Sequence, residues 1–356
     1  MSLCAYSVRC SNSVQRSFYL DLAASGHRAP IGTHLVLHTR KDADAVILDG
    51  LALGGVVAET AERFQTPLAI PLMDLTLEKA ALLGGLGVAP SETDAFHFNE
   101  PPADPGKLQI TPRMRATCDA IHHVATKTSL LPIGMGIGPF SLMTKLVKDP
   151  ITPVFLAGSG MALEEEPEIG IVESCLEVGT ELILAYLAAQ AEAGAKAIIV
   201  CEPAANLVYF SPNQLGESFE IFDRYVMEPM RRIKAMLYAR GVDLIFHDCG
   251  ELTNEMVARF STLDPAVMSL GCSRRLWDDA ALVAKSTVLY GNLPTKRFYS
   301  PQLTVADVEN LSLELLEKMS ATGHPFILGS ECDVLSVPGS EEEILSKVDA
   351  FMKAAR

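Results

Sequence analysis

The sequence predicts a (β/α)8 barrel, or TIM barrel, in which eight parallel strands alternate with helices. Two observations carry this prediction. Eight short runs rich in Val, Ile and Leu show little alternation of apolar and polar residues, which is typical of strands buried on both faces of a parallel sheet. Longer segments with apolar residues at helical spacing lie between these runs. An open, doubly wound sheet would satisfy the same alternation and is the alternative fold.

The predicted strands cover residues 31–37, 67–71, 132–135, 197–201, 244–247, 267–270, 287–290 and 325–328. The predicted helices cover residues 42–64, 113–127, 170–193, 217–240, 252–260, 278–285, 304–320 and 341–355. Thr304 with Asp307 resembles a capping box, and Ser340 before three glutamates indicates a helix start. The segment 84–111 reads as a long loop, and in a compact domain such a loop is often functional.

Length and composition predict one barrel domain over residues 1–356, with an N-terminal helical or loop extension over about residues 1–28. Barrels of this class routinely reach such a length as one unit. With 49% hydrophobic residues, the chain can bury a core large enough to fold without a disulfide or a metal. A metal site would therefore serve chemistry, and an oligomer is compatible with this composition.

The charge pattern narrows the classes of partner. A net charge of -15 repels phosphate backbones and argues against nucleic-acid binding. No uncharged apolar stretch reaches the roughly 18 residues of a membrane span, so we expect no membrane partner. The eight cysteines are scattered, and no positive region followed by an apolar run opens the chain. We therefore expect a cytoplasmic protein with free thiols.

Three residues have the types and positions of metal ligands. His247 and Cys249 stand at the end of the fifth predicted strand, where alternation puts both on one side. Cys332 follows the eighth strand, and the residues after all strands of a barrel meet on one face. Imidazole and thiolate are ligands that zinc prefers. The sequence predicts a zinc site, although buried packing cysteines and a hydrogen-bonded histidine would give the same spacing.

A fourth ligand is less clearly marked. Glu202 at the end of the fourth strand is the neighbouring candidate, as ligand and as catalytic residue, while Glu331 and Glu251 are others. Three strong ligands with one weak or absent ligand is the pattern of a catalytic zinc site. Zinc with two thiolates and a neutral imidazole has a net charge near zero. Such a centre favours alkyl transfer to a bound thiolate, whereas three histidines suit water activation.

Two further features adjoin the predicted barrel mouth. Gly136 and Gly138 open a helix after the third strand, and we mark them as candidate cofactor-binding positions. Their spacing does not match a dinucleotide fingerprint, and a tight turn with close backbone approach is the favoured interpretation. Asn292 ends the seventh strand, where it is a candidate catalytic residue that would bind substrate, or a turn residue.

Several segments together resemble the uroporphyrinogen decarboxylase superfamily over nearly the whole chain. They are residues 70–74, with Asp74 at the end, residues 134–144, residues 291–293, and the last strand with its loop. The resemblance implies a (β/α)8 barrel. It also implies a pocket role for Asp74, because the matching aspartate of decarboxylases binds the pyrrole nitrogens.

The methylcobalamin:coenzyme M methyltransferase branch of that superfamily is the most similar. Its members carry a His-x-Cys after the fifth strand and a Cys after the eighth, matched here by His247, Cys249 and Cys332. The resemblance implies a zinc-dependent transfer of a methyl group from methylcobalamin, or another methyl-corrinoid on a partner protein, to a small thiol such as coenzyme M.

Two alternatives remain at this point. A metal-free decarboxylase acting on a tetrapyrrole would use Asp74, but the region 30–34 lacks the arginines of decarboxylases and Lys145 replaces their tyrosine. A non-catalytic corrinoid- or zinc-binding module is the second alternative.

Overall fold

Eight strands form one parallel sheet in the computed structural model, which describes residues 16–103 and 110–354. They are β1 (Arg28–Ile31), β2 (Leu68–Ala69), β3 (Leu131–Ile137), β4 (Ala197–Cys201), β5 (Asp243–Asp248), β6 (Val267–Leu270), β7 (Val288–Leu293) and β8 (Phe326–Asp333). The order in the sheet is β1-β8-β7-β6-β5-β4-β3-β2. Because β1 pairs with β8, the sheet curls into a nearly closed barrel, which confirms the predicted fold and excludes the open sheet.

Helices alternate with these strands. They are α1 (Arg16–Ala24), α2 (Thr33–Leu37), α3 (Ala43–Val46), α4 (Gly50–Arg63), α5 (Leu77–Gly85), α6 (Pro112–Lys127), α7 (Pro139–Leu146), α8 (Ile151–Gly158), α9 (Pro167–Glu192), α10 (Pro212–Glu217), α11 (Glu220–Phe222), α12 (Glu228–Ala239), α13 (Asn254–Ser261), α14 (Leu276–Asp279), α15 (Val305–Thr322) and α16 (Glu341–Lys353). Short 3-10 turns occupy Pro90–Glu92 and Thr295–Arg297, and a π-helical turn occupies Asp223–Met227.

Burial on both faces explains the unbroken apolar character of the strands. Ile199 and Ile245 point into the barrel interior, where they join a cluster of apolar side chains. Their neighbours Ile198 and Leu244 point outward and pack in the larger cluster that includes the helices. Side chains of a strand alternate between faces. Both faces of the sheet are covered by apolar side chains here. The strand sequences are therefore continuous apolar runs and do not alternate between apolar and polar residues.

Helix α1 packs against the barrel interior. Tyr19 is fully buried, and Tyr19 and Ala23 belong to the interior cluster. This helix is the described part of the predicted extension over residues 1–28; residues 1–15 lie outside the described residues.

The first predicted strand, residues 31–37, is wrong over most of its length. β1 ends at Ile31, and Thr33–Leu37 is helix α2. Four of the five residues of α2 are buried, so this short apolar run carries no periodicity that separates a helix from a strand. Helix α2 also brings His34 into contact with Asp333, directly after Cys332.

Three predicted helices are interrupted. The helix predicted over 42–64 divides into α3 and α4, because the Asp49 side chain accepts hydrogen bonds from two backbone N–H groups of the new first turn. The helix predicted over 217–240 divides into α11, the π-helical turn and α12. Of the segment predicted over 278–285, only the end of α14 is helical.

The predicted capping box at α15 is confirmed. The Thr304 backbone N–H donates to Asp307 Oδ2 at 2.8 Å, and the Asp307 N–H donates to Thr304 Oγ1 at 3.1 Å. Helix α16 begins at Glu341 as predicted, although the Ser340 side chain makes no capping hydrogen bond. Within residues 16–103 and 110–354, no helix is both long and apolar enough to cross a membrane.

Candidate metal centre

Three side chains that could hold a metal ion meet at the barrel mouth. His247 lies near the end of β5, Cys249 directly after that strand, and Cys332 near the end of β8. One ligand atom from each residue lies within 4.8 Å of the others. His247 is buried, and both cysteines are half-buried. The structure therefore brings together the three residues that the strand positions predict.

His247 is oriented for metal binding. Its Nδ1 lies 2.9 Å from Ser269 Oγ, and Nε2 is buried with no hydrogen-bond partner among the described residues. A proton on Nδ1 donated to Ser269 leaves the Nε2 lone pair free for a ligand bond. Ser269 is not among the site residues predicted from the sequence; the register of β5 and β6 places it directly opposite His247.

The surroundings below the imidazole are apolar. His247 and Ser269 line a cavity of about 40 Å³ in the barrel interior, whose walls include Ile199, Ile245 and Tyr19. The ring is 1% exposed. An unpartnered buried nitrogen in such a place is costly unless a ligand satisfies it, so the donor set fits a metal ion with N and S preference.

The two cysteine side chains lie close together. Interaction with Cys332 lowers the pKa of the Cys249 thiol well below its ordinary value against the opposing effect of burial, and the nearby His247 and Lys296 act in the same direction. Interaction with Cys249, together with burial, raises the pKa of Cys332. Their close approach therefore shifts the pKa values of the two thiols in opposite directions.

Lys296 is a cation beside these thiols. It is not among the site residues predicted from the sequence. It lies in the 3-10 turn after β7, and its ammonium group lies close to Cys249. Burial opposes its charge, yet Cys249, Glu331 and Cys332 raise the pKa of Lys296. Its position three residues after a strand end, on the face of a barrel where active sites form, is the feature of the sequence that could have indicated a role at the site.

Glu202 stands apart from the three-residue cluster. It is fully buried, and its Oε1 accepts the Ser141 N–H at 2.5 Å in the first turn of α7. Burial raises its pKa to about 7, although hydrogen bonds with Ser141 oppose the shift. Its assignment as fourth ligand stays a prediction that requires the carboxylate to leave α7. Of the other candidates, Glu331 accepts the Cys272 N–H at 3.1 Å, and Glu251 is exposed.

Gly136 and Gly138 make room for buried side chains. A Cβ on Gly138 would overlap with Glu202 Oε2, and one on Gly136 would come within 2.9 Å of Glu78 Oε1 and 2.8 Å of Leu187. The close approach predicted at these glycines is thus to carboxylates of the chain itself. Their assignment to cofactor binding stays a prediction.

Asn292 holds the loop that packs against Cys249. Its Nδ2 donates to the carbonyl oxygens of Gly271 at 2.8 Å and Arg274 at 2.9 Å. Gly271 in turn packs on Cys249, because a Cβ at Gly271 would lie 2.8 Å from the Cys249 oxygen. The side-chain amide therefore holds the loop after β6 in place, and its contact with substrate stays a prediction.

Asp74 lies between the centre and a large cleft. The preceding residue, Met73, places its sulfur 3.7 Å from Cys332 Sγ. Asp74 Oδ1 accepts from the Thr76 hydroxyl at 2.6 Å, and Oδ2 lies 3.4 Å from the Arg113 guanidinium. The carboxylate is thereby fixed at the edge of the cleft.

The cleft has a volume of about 1060 Å³. Its charged and titratable lining groups are Asp74, Lys79, Asp94, His97, Arg113 and Lys145. Several other lining residues come from the predicted long loop over 84–111, of which residues 104–109 lie outside the described residues. The loop therefore contributes to the wall of the cleft that Asp74 lines.

Comparison with known proteins places the chain in a family. The model of the uroporphyrinogen decarboxylase (URO-D) family matches residues 55–356. The chain belongs to the URO-D family. A relative described as uroporphyrinogen decarboxylase, from Methylibium petroleiphilum, is 25% identical over 316 residues, which cover 85% of this chain and 81% of the relative.

A solved structure shares the fold of this URO-D-family chain. A methyltransferase from Methanosarcina mazei superposes with a TM-score of 0.66 at 15% identity, covering 94% of this chain and 98% of that one. At this identity the likeness concerns the fold. The predicted superfamily and barrel type are both confirmed.

This URO-D-family chain carries one more buried acid near the mouth, which the sequence reasoning missed. Glu78 on α5 is fully buried, and its Oε1 accepts the Ile137 N–H of β3 at 3.1 Å. Burial raises the pKa of Glu78 to about 8, so it is mainly a neutral acid at pH 7. Nothing in the polar side of a helical pattern distinguishes such a glutamate from a solvated one.

Proposed function

We propose that the chain is a zinc-dependent methyltransferase that passes a methyl group from a methyl-corrinoid to a thiol such as coenzyme M. The observation that carries the proposal is the convergence of His247, Cys249 and Cys332 at the barrel mouth. The sequence resemblance to methylcobalamin:coenzyme M methyltransferases through these same residues supports it, as does the shared fold with a methyltransferase.

The ligand set determines the chemistry. His247 Nε2 and the two cysteine sulfurs would hold zinc and leave one position for substrate. When bound, zinc lowers the pKa of a coordinating thiol, so that the thiol is present as a thiolate at neutral pH. Ser269 fixes the imidazole ring, and the cleft that Asp74 lines would admit the rest of the acceptor.

The transfer step needs no further proton. The thiolate sulfur forms a bond to the methyl carbon while the cobalt–carbon bond of the donor breaks, and the corrinoid keeps the bonding electron pair. We propose that a corrinoid protein presents the donor at the mouth of the barrel.

A decarboxylase acting on a tetrapyrrole is the second candidate function. The 25% identical relative is described as a uroporphyrinogen decarboxylase, and Asp74 lies at the edge of a cleft of about 1060 Å³. This candidate requires no metal, whereas the first requires one.

Metal analysis and a transfer assay separate the two candidates. Protein purified without added zinc should contain about one equivalent of zinc, and methylcobalamin should lose its spectrum when coenzyme M or other thiols are added. Cys249→Ala should lose both the zinc and the transfer. The control is Cys272→Ala, which removes a nearby exposed thiol outside the cluster and should retain both.

Two outcomes would contradict the methyltransferase proposal. One is less than about half an equivalent of zinc in the wild-type protein; the other is full zinc retention by Cys249→Ala. Release of carbon dioxide from uroporphyrinogen by metal-free protein, abolished in Asp74→Asn, would support the decarboxylase instead.

A further inference from the structure

We propose that Lys296 balances charge at the metal centre, so that the fourth coordination position favours an anionic ligand, the substrate thiolate, over a neutral one. The inference rests on the proposed function, because it requires a metal at His247, Cys249 and Cys332. It adds a residue that selects the ionised form of the substrate without being a metal ligand.

The backbone around Lys296 is anchored to the centre. Thr295 is 1% exposed, and its hydroxyl donates to the Cys332 carbonyl oxygen at 3.2 Å. The following residue, Lys296, places its ammonium group close to Cys249. The 3-10 turn Thr295–Arg297 therefore contacts both strand ends that supply the thiols. Lys296 is half-buried, so water screens its charge less than that of an exposed lysine.

A buried carboxylate lies close to Lys296. Glu331 is 4% exposed, directly precedes Cys332, and interacts with Lys296. Its Oε2 accepts the Cys272 N–H, which satisfies the oxygen but does not cancel the charge. An anionic ligand that approaches the centre therefore meets the field of Glu331 as well as that of the two thiolates.

The sum of charges shows what Lys296 changes. A divalent metal with two thiolates and a neutral imidazole has a net charge near zero. Glu331 adds one negative charge and Lys296 one positive charge, so the metal, its three protein ligands and these two side chains together stay near neutral. Removing the ammonium leaves a net negative centre, which repels a thiolate. A neutral ligand is indifferent to this charge.

The contrast between an anionic and a neutral ligand gives a test without a methyl donor. Cobalt(II) replaces zinc, and the protein is titrated with 2-mercaptoethanol, followed by the thiolate-to-cobalt absorption, or with imidazole. In Lys296→Met, the dissociation constant for the thiol should rise at least about tenfold, while that for imidazole stays within about twofold. Lys296→Gln should behave in the same way, and Lys296→Arg should restore thiol binding.

Arg297→Met is the matched control, because Arg297 is the adjacent, exposed cation of the same turn. Its thiol and imidazole affinities should equal those of the wild type. All variants are compared by thermal unfolding and cobalt content, so that a folding defect in one variant is recognised. In turnover with zinc, Lys296→Met should raise the KM for the thiol more than it lowers kcat.

Unchanged thiol binding in both Lys296→Met and Lys296→Gln would overturn the proposal. Equal losses of thiol and imidazole binding would also overturn it, because they would indicate a purely structural role. A wild-type protein that binds neither zinc nor cobalt would instead remove the proposed function and this inference with it.

Discussion

Ser269 controls the orientation of the candidate ligand His247. The hydrogen bond between Ser269 Oγ and His247 Nδ1, at 2.9 Å, occupies Nδ1 and leaves Nε2 free for a ligand. Ser269→Ala should therefore weaken zinc binding by roughly 10–100-fold, the usual cost of losing such an outer contact. Competition with a chromophoric chelator measures the change in affinity.

Ser312→Ala is the control for this change. Ser312 is also buried, and its hydroxyl donates to a backbone carbonyl within α15, away from the centre. It loses the same atoms and should keep wild-type zinc affinity. Equal zinc affinities in Ser269→Ala and the wild type would show that the imidazole is oriented by packing alone.

The residues of the centre differ in how far the sequence predicts them. His247, Cys249 and Cys332 were predictable because imidazole and thiolate are ligands that zinc prefers and because their positions follow strand ends. Ser269 and Lys296 were not predicted, since a serine and a lysine acquire their roles here only through strand register and the fold of one turn. Glu202 was placed at the correct strand end, but nothing in the sequence shows that α7 provides the N–H groups that hold it.

At the scale of elements, the strands between β3 and β8 were predicted because each is buried on both faces. β4 and β6 match the prediction residue for residue. Around β1 the burial pattern does not distinguish a strand from a helix. Helix α2 is buried on nearly every side, so its short apolar run resembles that of a buried strand. Asp49 is a common type of N-cap residue and therefore indicates the start of α4. The apolar residues keep their helical spacing across this position, so the spacing alone predicts one continuous helix.

The loop after β6 packs directly against the main chain of Cys249. Gly271 lies against the backbone of Cys249, with distances of 2.8 to 2.9 Å from its missing Cβ to three main-chain atoms. Main-chain atoms have little room to yield, so Gly271→Ala should displace Cys249. We expect zinc content to fall and the protein to lose about 1–3 kcal/mol of stability, measured by metal analysis and urea unfolding.

Gly55→Ala is the matched substitution inside helix α4. No atom beyond its chain neighbours and the backbone of its own helix lies within 4 Å of a Cβ at Gly55. Alanine should stabilise this helix by up to about 1 kcal/mol and leave zinc content unchanged. A Gly271→Ala protein with full zinc content and wild-type stability would show that the loop can move away without consequence.

At the scale of the whole molecule, the barrel separates a dry interior from a charged mouth. Apolar side chains and Tyr19 of α1 fill the interior, whereas buried acids lie near the C-terminal ends of β3 and β4, among them Glu78 and Glu202. The alternation of strands and helices was enough to predict this architecture. The burial of the acids depends on which side chains surround them after folding, so the sequence could not show it.

Glu78 links global stability to pH. Its folded pKa of about 8 lies above the ordinary 4.5, so the folded state holds a proton that the unfolded state releases. The stabilisation from this neutral carboxyl is fully present below about pH 4.5. It is lost progressively as the pH rises from there through about 8. Relative to Glu78→Gln, the wild type should lose about 1.4 kcal/mol per pH unit across that window, measured by urea unfolding at several pH values. Glu92→Gln, at an exposed site, is the control, and its unfolding free energy should vary with pH as that of the wild type does. If the unfolding free energy of Glu78→Gln also varied with pH as that of the wild type does, Glu78 would ionise normally in the folded protein.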